Sequence, residues 1–188
     1  PEGGLAELVV GEAEGRKVIF ANEMDVDEEE DDFYFSDSSD KYHFREIFYV
    51  TINGERSGRV IKYNKKTKEV KVVMDNLLSN NGLALSKDGS FLITCESATG
   101  IVHRLWLKGP KAGTRDIFAK IPGHPDNIRR TPTGDFWLGL QCKNNLIGNL
   151  LVSKRWLGRL AEKTVNLKLL TALFNGFMPH GIVVKISG

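Results

Sequence analysis

The amino-acid sequence predicts an all-β fold of the β-propeller type, and three observations lead to this prediction. Glycine is frequent, at 19 of 188 residues, which is typical of chains with many tight turns between short strands. Runs of alternating apolar and polar residues, such as IVHRLWL at 101–107, have the period of half-buried strands. Two kinds of segment also recur at roughly the 40–50 residues of one four-stranded blade.

The first recurring segment runs from an asparagine through an apolar pair and a polar turn into a second apolar strand. Its three copies are FANEMDVDEEEDDFYFSD (20–37), SNNGLALSKDGSFLITCE (79–96) and HPDNIRRTPTGDFWLGLQ (124–141). Asn81 and Asn127 stand 46 residues apart. The hairpins of a β-sandwich, which is the alternative fold, have no reason to repeat this order three times, so the repeat favours a propeller.

The second recurring segment begins at a glycine and continues with alternating apolar residues. Its copies are GRVIKYNKKTKEVKVVMD (58–75), GIVHRLWLKGPKAGTRDIFA (100–119) and GIVVKISG (181–188). Together the two segments predict four strands in each unit. In the central unit we expect these strands at 82–86, 90–96, 100–107 and 114–119.

Two segments interrupt the repeat within a single predicted domain at 1–188. Residues 38–57 are predicted to lengthen the loop between two strands. Residues 154–175 have helical spacing, with Trp156, Leu160 and Lys163 on one side, and carry five basic residues and one acidic residue. We expect a helical insertion packed on the propeller. A helix lying on a membrane surface is the alternative.

Charge and cysteine content argue against several classes of function. The net charge of +2 is too small to predict a nucleic-acid partner. Eight acidic residues between Glu23 and Asp32 predict a solvated loop, with cation collection as a weaker alternative. Cys95 and Cys142 are predicted to be buried thiols, although one disulfide is conceivable. No signal-peptide pattern is present, and no apolar run approaches the roughly 18 residues of a membrane span.

Four polar residues recur at equivalent places in the repeat and predict a site for a hard cation. They are Asn22, Asn81, Asp126 and Asn127, each at the start of the first strand of its unit. First strands line the channel of a propeller, so their starts meet at one mouth. Oxygen donors without cysteine or histidine suit calcium, which takes 6–8 oxygen ligands. The alternative is that asparagine and aspartate here only cap strands and turns.

Several motifs resemble the strictosidine-synthase-like family. They are FYFSDSSDKY, ERSGRVIKYNKKTKEVKVVMDNL, NNGLALSKDGSFL, RLWLKGPKAGT and PDNIRRTPTGDFWLGL. SKRWLGRLAEKTV and PHGIVVKISG look most like the adipocyte plasma-membrane-associated branch, which includes the insect hemomucins. The resemblance covers nearly the whole chain and implies a six-bladed propeller, similar in fold to paraoxonases and gluconolactonases. Six blades need about 270 residues, so we expect an incomplete run of about four blades, truncated at both ends.

The resemblance also implies a chemistry and a location. Related propellers place calcium ligands at the four positions named above and add a glutamate from a first blade, for which we find no counterpart. The implied function is a calcium-dependent arylesterase- or lactonase-like hydrolase that acts on a small-molecule ester or lactone, with the metal polarising the carbonyl for attack by water. The implied location is a membrane or the secretory pathway, through an N-terminal anchor outside this chain or the helix at 154–175.

A general base would complete this chemistry, and His124, beside Asp126, is the nearest candidate. His180 is a second candidate, and His103 is expected to be structural. Strictosidine synthase activity is not expected, because the glutamate that the family uses in its final blade has no counterpart here. No Gly-rich phosphate loop, GxSxG or HExxH motif is present. A non-catalytic binding or adhesion propeller and an inactive truncated fragment are the alternative functions.

Overall fold

The structure, a computed structural model, describes residues 3–175 and 181–188, whose strands form four antiparallel sheets. The first sheet is a short hairpin of β1 (Glu12–Ala13) and β2 (Arg16–Lys17). Three larger sheets follow, with four, four and three strands. This arrangement confirms the predicted all-β class, and the run predicted as about four blades is observed as four sheets.

The first large sheet, here called the first blade, is a meander in which each strand pairs with the next one along the chain. Its strands are β3 (Ala21–Asp27), β4 (Asp32–Asp37), β5 (Gly58–Asn64) and β6 (Val70–Leu77). Strand β3 therefore lies at one edge of the sheet and β6 at the other, as the strand order of a propeller blade requires.

The second blade repeats this order. Its strands are β7 (Asn80–Leu85), β8 (Phe91–Glu96), β9 (Ile101–Trp106) and β10 (Arg115–Lys120). Each strand predicted for this unit overlaps the observed one and differs from it by at most two residues at either end.

The third blade has three strands within the described residues. They are β11 (Gly123–Arg130), β12 (Phe136–Lys143) and β13 (Ile182–Ile186). Strand β13 pairs with β12 as β5 pairs with β4, so the segment GIVVKISG takes the third-strand place that the second repeat predicted.

The blades stack face to face, and strand β8 shows how. Leu92 belongs to a buried cluster with Val60 of the first blade, whereas its neighbour Ile93 belongs to a second cluster with Phe136 of the third blade. Successive side chains of a strand point to opposite faces of the sheet. The second blade is therefore buried on both faces.

A fully buried ion pair joins the short hairpin to the first blade. The Arg59 guanidinium donates from Nε and Nη2 to Asp37 Oδ2, at 3.0 Å each, and both side chains are 0% exposed. The same guanidinium donates to three carbonyl oxygens of the hairpin region, those of Ala13, Arg16 and Lys17. Burial raises the pKa of the Asp37 carboxyl, and the hydrogen bonds that it accepts oppose this rise. The pair fixes the position of the hairpin.

A helix occupies the segment at 38–57, where the sequence predicted only a longer loop. A short 3-10 helix (Phe44–Glu46) leads into α1 (Ile47–Asn53), which ends at Gly54 in the left-handed conformation with φ 64°. The Gly54 amide donates to the Thr51 carbonyl oxygen at 3.3 Å, which closes the last turn. The loop prediction was therefore wrong for the middle of this segment.

Three further helices follow β12. They are α2 (Leu146–Ser153), α3 (Arg155–Thr164) and α4 (Leu167–Asn175). Helix α2 begins eight residues before the predicted start at 154, because Asn145 caps it by accepting a hydrogen bond from the Gly148 amide at 2.8 Å. None of the helices described here combines the length and apolar character needed to cross a bilayer.

Candidate functional site

The first strand of every blade carries the same irregularity. Strands β3, β7 and β11 each contain two consecutive residues that fall outside the paired register with the second strand. These residues are Asn22 and Glu23, Asn81 and Gly82, and Asp126 and Asn127. Such β-bulges bend a strand and redirect its side chains. All four residues of the predicted cation site thus lie in three equivalent bulges.

The bulges of β7 and β11 touch each other. A Cβ atom built on Gly82 would lie 2.4 Å from the Asp126 carbonyl oxygen and 2.8 Å from the Ile128 amide nitrogen. Only glycine allows two backbones to approach this closely. The close approach brings Asn81 Nδ2 to 2.8 Å from Asp126 Oδ1, to which it donates a hydrogen bond.

The other amide atom of Asn81 has no hydrogen-bond partner among the residues that the structure describes. Asn81 Oδ1 is buried and accepts no hydrogen bond from any described residue. An unsatisfied buried acceptor costs roughly 1–3 kcal/mol, so this oxygen favours a ligand that it can contact. Together with the Asp126 carboxylate it provides two oxygen donors of the types that calcium prefers. These residues therefore fit a hard cation.

Carboxylates alone do not make this site. Within residues 3–175 and 181–188, no three His, Cys, Asp or Glu side chains are grouped so that they could hold a metal ion. The candidate site instead combines the Asp126 carboxylate with the amide oxygen of Asn81. A mixed set of this kind is compatible with calcium and unlike the nitrogen and sulfur sets of zinc.

Glu23 is a site residue that the sequence analysis missed. Its Oε2 accepts hydrogen bonds from Asn127 Nδ2 at 2.9 Å and from Arg129 Nη1 at 2.7 Å. The prediction of a solvated acidic loop was wrong at this position, because Glu23 lies in strand β3 and is largely buried. The signal that could have found it is the repeat itself, since Glu23 is the second bulge residue, equivalent to Gly82 and Asn127.

Asn22 is held apart from the other three predicted ligands. It is exposed, and its Nδ2 donates to Ser38 Oγ at 3.2 Å. Ser38 in turn donates to the backbone carbonyl oxygen of Asn80. The structure thus brings Asn81 together with Asp126, and Asn127 together with Glu23, but leaves Asn22 hydrogen-bonded to Ser38.

His124 lies at the start of β11, buried to 1% exposure. Its Nδ1 is 2.8 Å from the Ser97 carbonyl oxygen. A carbonyl oxygen only accepts, so Nδ1 carries the proton and Nε2 is the basic nitrogen of the neutral ring. Burial lowers the pKa of His124, and the bond to Ser97 opposes this effect. His124, Asn81 and Thr51 of α1 line one small cavity of about 30 Å³.

His103 was predicted to be structural, and His180 was the second candidate for the general base. His103 Nε2 lies 3.5 Å from Oε1 of the buried Glu96, which also pairs with the partly exposed Arg56. There, burial opposes ionisation of Glu96, but hydrogen bonds outweigh it and lower its pKa. His180 lies outside the described residues.

The lowered pKa of His124 predicts that acid destabilises the fold. Below the ordinary histidine pKa of 6.5, the unfolded chain takes up a proton that folded His124 does not bind. The free energy of unfolding should therefore fall as the pH drops from about 7 to about 5. His124→Gln should reduce this slope in urea titrations, whereas the exposed control His43→Gln should keep it. Equal slopes for both variants would contradict the assignment.

Stacked antiparallel blades, each with a bulge in its first strand, define the fold of this chain as that of a β-propeller. A gluconolactonase from Xanthomonas campestris has the same fold, with a TM-score of 0.58 over 73% of this chain and 46% of that chain, at 18% identity. Likeness at this level of identity extends to the fold alone.

Comparison of sequences shows which proteins the chain resembles. The family model for strictosidine synthase matches residues 22–110. The chain is 72% identical to strictosidine synthase-like 9 of Arabidopsis thaliana, over all of this chain and 51% of that protein. It is 33% identical to the adipocyte plasma membrane-associated protein of Gallus gallus, over 93% of this chain and 42% of that protein. The predicted resemblance to strictosidine-synthase-like proteins is confirmed. The chain spans about half the length of these relatives.

Proposed function

We propose that this chain forms part of a calcium-dependent hydrolase of esters or lactones. The observation that carries the proposal is the buried Asn81 Oδ1, which no described residue supplies with a hydrogen-bond donor and which lies on the side chain that donates to Asp126. Lactones are included because a gluconolactonase shares the fold. The proposal concerns the whole protein, of which this chain spans part.

The residues that would hold calcium are those of the bulges in β3, β7 and β11. Asn81 and Asp126 supply two oxygens that already lie on adjoining side chains. Asn127 donates a hydrogen bond to Glu23. Asn22 would become a calcium ligand only if its side chain gave up the hydrogen bond to Ser38. When bound, calcium supplies a Lewis acid that polarises a carbonyl and stabilises developing negative charge.

The chain's own residues would position the site and move the proton. Cys95 Sγ donates to the Asp126 carbonyl oxygen at 3.1 Å, which holds the bulge of β11 in place. Burial lowers the pKa of His124, which favours the neutral imidazole near pH 7, the form that could take a proton from water. His124 and Asn81 line the same cavity, which supports a shared role.

Asp126→Asn is the test of this proposal. The change removes one negative charge and keeps the size of the side chain. We expect the calcium-induced rise in melting temperature to disappear and kcat/KM for phenyl acetate and a δ-lactone to fall by roughly 10²–10³-fold. Melting with calcium or chelator and a hydrolysis assay measure the two effects.

The matched control is Asp31→Asn. Asp31 lies on a turn with φ 59°, a conformation that asparagine tolerates, and among the described residues it forms one ion pair, a 3.6 Å contact with Lys66. This variant should keep both the calcium response and the activity. A calcium response that survives in Asp126→Asn would place the cation elsewhere. A calcium response without hydrolysis would favour a binding propeller over an enzyme.

We also propose a location at a membrane or in the secretory pathway. The support is the name of the chicken relative, which describes it as associated with the plasma membrane. Fractionation of cells that express the full-length protein tests this directly. Recovery in the cytosolic fraction alone would contradict it.

A further inference from the structure

Two neighbouring helices expose large apolar side chains to solvent. On α3, Trp156 is 65% exposed and Leu160, one turn further on, is 51% exposed. On α2, Leu146 is 86% exposed and Leu150 is also exposed. Residues four apart lie on the same face of a helix, so each of these pairs forms an apolar stripe. These stripes are larger than the isolated exposed residues that any protein carries.

The opposite face of α3 explains why these side chains point outward. A Cβ atom built on Gly158 would lie 2.0 Å from the Ile52 carbonyl oxygen, so α3 packs directly on the backbone of α1 there. One turn further, Glu162 Oε2 accepts a hydrogen bond from Asn53 Nδ2 at 2.8 Å. With Gly158 and Glu162 facing α1, Trp156 and Leu160 must face away from it.

The same region carries a strong positive charge. Between residues 143 and 175 there are six basic side chains and one acidic side chain, and the acidic one, Glu162, is bonded to Asn53. All six basic residues are exposed, and none forms a salt bridge with another described residue: Lys143, Lys154, Arg155, Arg159, Lys163 and Lys168. The charge is therefore available to an external partner.

We infer that α2 and α3 dock on the surface of a membrane that contains anionic lipids. Lysine and arginine beside exposed tryptophan and leucine are the composition of helices that lie in a membrane interface. Tryptophan favours the headgroup region, because its ring is apolar and its indole N–H is polar. Basic residues near such a surface add attraction to anionic headgroups. This inference rests on the helices and is independent of the proposed hydrolysis.

Vesicle co-sedimentation tests the inference. The chain should bind vesicles of phosphatidylcholine with phosphatidylserine and bind pure phosphatidylcholine vesicles much more weakly. Because exposed charges are screened by salt, high salt should weaken binding. Trp156→Ala should weaken binding to the mixed vesicles by about tenfold. Arg159→Gln with Lys163→Gln should reduce the preference for anionic lipid, because two of the six exposed basic side chains are lost.

Trp137→Ala is the matched control, because Trp137 is also an exposed tryptophan but lies on strand β12. It should bind vesicles like the unchanged chain. Equal loss in Trp137→Ala and Trp156→Ala would overturn the inference, as would equal binding to both kinds of vesicle. Absence of vesicle binding, together with a dimer in sedimentation velocity that Trp156→Ala dissociates, would instead assign the face to a second copy of the chain.

Discussion

Removing the guanidinium of Arg59 is expected to destabilise the fold by about 3–5 kcal/mol. Arg59→Met keeps the length of the side chain but leaves the Asp37 carboxylate buried without its cation, at 0% exposure. It also removes the donor to the carbonyl oxygens of three residues around the β1–β2 hairpin. A buried charge without a partner is among the few changes that reach this magnitude.

Urea unfolding of matched variants measures this effect. Arg130→Met is the control, because Arg130 is exposed and the described residues offer it no hydrogen bond or salt bridge, so its loss should change stability by less than about 0.5 kcal/mol. Adding Asp37→Leu to Arg59→Met should recover part of the loss, since it removes the stranded charge. Similar midpoints for Arg59→Met and Arg130→Met would contradict the burial of this ion pair.

Gly82→Ala should have the second large effect. The added methyl would lie 2.4 Å from the Asp126 carbonyl oxygen, and backbone on both sides prevents an easy adjustment. Strands β7 and β11 must move apart, at a cost of about 1–3 kcal/mol. The same movement would separate Asn81 from Asp126, so we expect the calcium response of the melting temperature to be lost as well.

Gly139→Ala is the matched control for this change. Gly139 also lies in a strand of the same region, but a Cβ atom there would meet the Asn127 carbonyl oxygen at 3.7 Å, an ordinary contact distance. Thermal melts with calcium or chelator distinguish the two variants. If Gly82→Ala melts like Gly139→Ala, the close contact between β7 and β11 does not exist in solution.

The strands were predictable from the sequence, because their signals are local. Alternation and turn residues placed the strand at 90–96 within one residue of Phe91–Glu96. The equivalent positions of Asn22, Asn81 and Asp126 followed from the repeat alone, and these residues lie in equivalent bulges. What the repeat could not reveal is that Asn22 turns towards Ser38.

The missed features depend on contacts between distant parts of the chain. The α1 sequence IFYVTIN is rich in β-branched and aromatic residues, which do not favour a helix. Its helix packs on Gly158 of α3, about a hundred residues later. Glu23 was assigned to a solvated loop because it begins an acidic run, whereas its partner Asn127 lies 104 residues away. No local pattern contains this information.

The three bulges also have a consequence for how such a protein can change by duplication. The first strand of each blade carries such a bulge, so copying a blade would add one more polar bulge position in the same event. The first bulge residue is an amide or a carboxylate in all three blades, Asn22, Asn81 and Asp126. The second residue differs each time and sets what each copy does: Gly82 allows contact between strands, whereas Glu23 and Asn127 bond each other.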